Sequence, residues 1–69
     1  MEDLTVRLRY RNWKGVVKTY EVRPCGLWYG STEYHPRRQW LLAAIDLDGG
    51  VLKNFAVKDV LDWTPLEES

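Results

Sequence analysis

The sequence holds one cysteine and one histidine, Cys25 and His35. A lone cysteine has no partner for an internal disulfide, and Cys25 with His35 falls short of the ligand set of a closed zinc site. Cys25 is expected as a small buried apolar residue. No stretch approaches the roughly 20 consecutive apolar residues of a membrane-spanning helix, and Met1-Glu2-Asp3 is followed by alternating residues rather than an apolar leader. A cytoplasmic protein without membrane contact is the expectation. Convincing 3.6-residue periodicity is missing too, which leaves helical architectures unsupported. A nucleophile elbow and an oxyanion-hole motif are lacking, and no residue pattern implies a cofactor.

What is present is aromatic: four Trp, four Tyr and one Phe in 69 residues. One domain is all that this length allows. A domain this size buries only about 60% of the surface its unfolded chain exposes, so large rings matter, each removing on the order of 150–250 Å² from water. Exposed aromatics left over from such a core would invite a second copy, and a homodimer is one expectation.

Net charge is zero, but its two signs are separated. Through Arg38 there are eight basic residues against four acidic, and after it two basic against six acidic. The division gives either a polarised surface or cross-strand ion pairs with little net field.

Period-two patterning defines the first strand, in which Leu4, Val6, Leu8 and Tyr10 alternate with Thr5, Arg7, Arg9 and Arg11. Arg7, Arg9 and Arg11 then form either a solvated outer face or an anion-binding stripe. Asn12-Trp13-Lys14-Gly15 reads as a hairpin turn, with Asn tolerating and Gly supplying positive φ; Trp13 at its tip is either folded back or exposed. The second strand spans Val16 to Val22. Pro24 removes a ladder donor and Cys25-Gly26 permits a bulge, after which Leu27-Trp28-Tyr29 continues until Gly30.

Residues 31–38 form the one long connection, an ordered loop with Ser31 as a candidate cap. Gln39 to Leu47 is apolar on both faces and reads as the central strand, with Trp40 in the core. Asp48-Gly49-Gly50 turns the chain into Val51–Val57, in which Val51, Phe55 and Val57 share a face. Lys58-Asp59 marks a short 3₁₀ turn, Val60–Trp63 a last strand, and Thr64-Pro65 its end. The expectation is an all-β domain over residues 1–64 with a tail over 65–69: a small bent antiparallel sheet or an SH3/Sm-like barrel of roughly five or six short strands.

Tyr10, Gly15, Val22-Arg23-Pro24, Leu27, Gln39-Trp40-Leu41-Leu42-Ala43-Ala44 and Phe55-Ala56-Val57-Lys58-Asp59-Val60 follow in an order that resembles the WYL domain. The resemblance runs from Tyr10 to Val60. It implies a small Sm-like barrel of the kind usually found behind a helix-turn-helix in bacterial transcription regulators, here free-standing. It also implies binding of nucleic acid or nucleotide ligands. Leu41 stands where that family has tyrosine, and Ala56 and Asp59 stand where it has ligand-binding arginines. Any retained binding must therefore use another surface, the 28–40 stretch or the basic first strand with Arg7, Arg9 and Arg11.

The loop supplies one. Trp28, Tyr29 and Tyr34 offer faces for stacking on bases, Arg37 and Arg38 offer phosphate neutralisation, and His35 offers a hydrogen-bond donor. The competing reading places Trp28 and Tyr34 as plugs of one barrel end. Ser31, Glu33 and His35 are the residue types of an acid–base–nucleophile set, but nothing around them supports catalysis. Asp46, Asp48 and Asp59 are too few for a hard-cation site and fit turn chemistry better. The sequence points to a non-enzymatic binding module whose partner is single-stranded nucleic acid or a nucleotide. The alternative is a protein-interaction or homodimerising accessory.

Overall fold

The computed structural model describes residues 4–66; Met1–Asp3 and the end of the expected tail from residue 67 lie outside them. Val6, Leu8 and Tyr10 are buried and Arg7, Arg9 and Arg11 exposed along β1 (Val6–Arg11), as the alternation requires. Four further strands follow: β2 (Val17–Gly30), β3 (Gln39–Asp46), β4 (Val51–Ala56) and β5 (Val60–Pro65). A 3₁₀ turn, Val57–Asp59, links the last two. All pairings are antiparallel, in the order β4-β3-β2-β1-β5. The protein is the small bent antiparallel sheet that the short runs and tight turns imply. Four strands meander and the fifth returns to the free side of β1.

Two irregularities bend the strands. Pro24 pairs with Ala44 and Gly26 with Ala43, leaving Cys25 as an extra residue. A bulge belongs there because Pro24 has no N–H for the ladder. The bulge turns Cys25 into solvent, which corrects its expected burial: the bulged residue has no opposite position to pack on. On β5, Val60 pairs with Tyr10 and Asp62 with Arg9, so Leu61 is the extra residue. β5 reaches Pro65, and the Leu66 amide donates to the Thr5 carbonyl at 2.8 Å, slightly beyond the expected strand end.

The core draws Val6, Leu8 and Tyr10 from β1, Val22 from β2, Leu41, Leu42 and Ala44 from β3, and Phe55 and Ala56 from β4. At its centre Tyr10 meets Phe55 edge-on at 5.0 Å and Tyr20 at 6.3 Å, while Tyr20 meets Phe55 at 5.3 Å. The Ala56 amide donates to the Tyr10 hydroxyl at 3.0 Å. β1 and β4 are separated in the sheet by β3 and β2, so this bond closes the bend from one wall to the other. Burial raises the Tyr10 pKa, keeping the phenol neutral.

β2, not β3, holds the middle of the sheet. Trp40 is 56% exposed, against its expected place in the core. The register explains this: β1 pairs with β2 only as far as Val22, while Trp40 sits opposite Tyr29 at the far end of the β2–β3 ladder. Val51 and Val57 are likewise exposed, leaving Phe55 alone of that expected face inside.

Among the described residues, Asp46 is the buried polar one. Its Oδ1 accepts the Asp48 amide at 2.9 Å, shaping the turn, and its Oδ2 accepts Lys53 Nζ at 2.8 Å. Gly49 and Gly50 complete the turn with φ of 106° and 71°, values that favour glycine.

Tyr10→Phe leaves the buried Ala56 amide without its acceptor and is expected to cost about 1–2 kcal/mol in urea unfolding; an unchanged midpoint would remove the bond from the account of the bend. Lys53 lowers the Asp46 pKa from its ordinary 3.8, chiefly by its hydrogen bond, with the Asp48 amide adding to this. The contribution is therefore complete above the ordinary value and drains as pH falls through the lower folded-state value. Lys53→Met should cost about 1–2 kcal/mol at neutral pH. That is less than a fully buried pair, because the Lys53 side chain is 43% exposed and screened by water. It should also flatten the acid limb of the stability–pH curve measured by urea melts.

Candidate nucleic-acid interface

Two tightly built turns meet above Tyr10. In the first, Asn12 Oδ1 accepts the amides of Lys14 at 2.9 Å and Val16 at 3.0 Å, and the Asn12 amide donates to the Val16 carbonyl at 2.9 Å. Gly15 supplies the positive φ, at 80°; Asn12 contributes its side chain rather than a left-handed backbone. Trp13 is thereby presented at the tip, 82% exposed, with Lys14 Nζ 5.2 Å from its ring.

In the second, Thr32 and His35 exchange backbone hydrogen bonds at 2.9 and 3.1 Å, and Thr32 Oγ1 accepts the amides of Tyr34 at 3.2 Å and His35 at 3.0 Å. Thr32, not Ser31, is the capping residue. His35 Nε2 lies 3.3 Å from the Asn54 carbonyl. A carbonyl can only accept, so this nitrogen carries the hydrogen, and the loop is thereby pinned to β4. Tyr34 is left 76% exposed, which rules out the plug reading for this residue.

Trp13, Tyr34 and His35 line two adjoining hollows. One, of about 450 Å³, also takes Arg11, Arg37 and Lys58 into its wall, with Asp59 beside them. The other, of about 510 Å³, runs toward Lys53 and Asn54. Among the described residues, Arg11, Arg37 and Lys58 make no ion pair. The cleft thus joins two exposed aromatic side chains to three cations. That set can stack on a planar ring and neutralise phosphates. A larger hollow of about 660 Å³ lies beside the Asp46–Lys53 pair, where Lys18 and Glu21 set opposite charges.

Of the residues singled out in the sequence, Arg11, Tyr34, His35 and Arg37 come together here. Arg7 pairs with Glu21 at 3.3 Å and Arg9 with Asp62 at 3.0 Å on the outer face; each is the register partner of the other. Arg38 is exposed and lines neither wall of the cleft. Trp28 donates from Nε1 to Asn54 Oδ1 at 2.9 Å and lies against Gly30, where an added Cβ would meet its ring at 2.5 Å. Tyr29 stands beside Trp40 in a separate hollow. Trp13 and Lys58 join the cleft although sequence reasoning did not assign them to it. An exposed ring at a turn tip was the available signal for Trp13; Lys58 reaches the cleft through the 3₁₀ turn, which no local pattern aims.

Set against known proteins, the chain matches no family model, no curated protein and no solved structure.

Proposed function

We propose that the protein is a small non-enzymatic binding module that takes single-stranded nucleic acid or a nucleotide in the cleft between Trp13 and Tyr34. One observation carries the reading: two ring systems, 82% and 76% exposed, line the same hollow as Arg11, Arg37 and Lys58. Leaving such rings in water wastes apolar surface unless a ligand covers them. Stacking contributes about 1–3 kcal/mol per base, and the cations supply the salt-dependent part.

We also read the chain as a divergent WYL-type, Sm-like domain acting in the cytoplasm. The five-stranded all-β sheet supports this, as does the order of Tyr10, Pro24, Leu41 and Phe55 along it. In this reading the ligand surface has moved from the family's arginine positions, here Ala56 and Asp59, to the two turns. A homodimer over Tyr29 and Trp40 is the second reading, favoured by their exposure of 57% and 56%. Together they offer roughly 200 Å², against about 800 Å² per partner in a stable interface.

Titration of tryptophan fluorescence with short single strands at two salt concentrations tests the proposal. Affinity should fall steeply with salt. Trp13→Ala or Tyr34→Ala should weaken binding about 5- to 150-fold at either salt. Arg11→Ala, Arg37→Ala or Lys58→Ala should each reduce the slope of log affinity against log salt by about one. No response at low salt sinks the reading; strand binding that is lost on aromatic truncation but does not change with salt removes phosphate neutralisation by Arg11, Arg37 and Lys58 from it.

A further inference from the structure

We infer that the ligand is a strand rather than a single nucleotide. Its path leads from the Trp13–Tyr34 cleft over Gln39 and Lys58 onto a second stacking surface made by Tyr29 and Trp40. The inference rests on the nucleic-acid reading of the first cleft and adds a direction and a length to it.

Gln39 and Lys58 line both the cleft and a neighbouring hollow of about 350 Å³, so the two share a wall. Tyr29, Trp40 and Val57 complete the second hollow. Tyr29 and Trp40 are opposite one another in the ladder, with rings 5.5 Å apart and inclined at 69°. This edge-on arrangement holds both rings in place while more than half of each stays open to solvent. Cations follow the same course: Arg11 and Arg37 stand in the first hollow and Lys58 at the junction. Aromatic platforms spaced along a cationic track are what a single strand needs, since every base has a stacking face and every linkage a charge. Asp59 lies in the first hollow; its carboxylate repels phosphate and suits a base amino group, which places the backbone toward Arg37 and Lys58. A mononucleotide would fill the first cleft and leave Tyr29 and Trp40 wet.

Fluorescence anisotropy with labelled dithymidylate and with oligothymidylate of about eight nucleotides, added to the full chain at low salt, tests this. The longer strand should bind at least about tenfold more tightly than the dinucleotide. Trp40→Ala should collapse that ratio toward one, and Trp13→Ala should weaken both ligands. Tyr29→Ala reads the same platform should Trp40→Ala fail to fold, with circular-dichroism melts as the check. Equal affinities for the two lengths, unchanged by Trp40→Ala, overturn the strand path; if Trp13→Ala still weakens both, the first cleft stands. Failure of both ligands to bind overturns both readings. A concentration-dependent sedimentation shift abolished by Trp40→Ala, with strand affinity intact, assigns the platform to self-association and also overturns the path.

Discussion

The Tyr10 phenol is the point on which the bend depends. Its ring comes from β1, its hydrogen-bond donor from Ala56 on β4, and its edge-on neighbours from β2 and β4. A flat five-stranded ladder would keep β1 and β4 two strands apart, with one face of a short chain open to water. Drawing the Ala56 amide onto the Tyr10 oxygen brings the outer wall back over the inner one and encloses Leu8, Val22 and Phe55. A phenylalanine could supply the ring but not the acceptor, and the last amide of β4 would then be buried without a partner.

The candidate site follows from that closure. Tyr10 is near the end of β1, so the turn carrying Trp13 leaves the sheet directly above it, and the 31–38 loop is held against β4 by His35 and Asn54. Both loops are organised by a side-chain oxygen accepting two amides, Asn12 Oδ1 in one and Thr32 Oγ1 in the other. Such loops present exposed rings without the entropy cost of a floppy connection. The Asn54 side chain meanwhile fixes Trp28, which turns one of the conspicuous tryptophans into a structural element rather than a contact.

Charge is sorted by the same geometry. On the outer face the arginines of β1 stand opposite acids on β2 and β5 and pair with them, so this basic stripe has little field of its own. Arg11, beyond the last acidic partner, is opposite Val17. It joins Arg37 and Lys58 at the end of the sheet, where the charge is concentrated beside aromatic surface.

Local rules settled the strands. Alternation in β1 set its buried face, Pro24 with Cys25-Gly26 set the bulge, and Gly15 and Asp48-Gly49-Gly50 set the turns, because each is a constraint on one or two residues' backbone angles or donors. Local rules also marked Tyr34, His35 and Arg37 as groups a sheet has little use for. Tertiary structure decided the rest. Trp40 lies at the exposed end of a ladder that β1 does not reach, and Cys25 points outward from its bulge. Trp13 and Lys58, 45 positions apart in the sequence, share one hollow. Burial and proximity of this kind depend on which strands extend past which, and that is a property of the assembled register rather than of any segment.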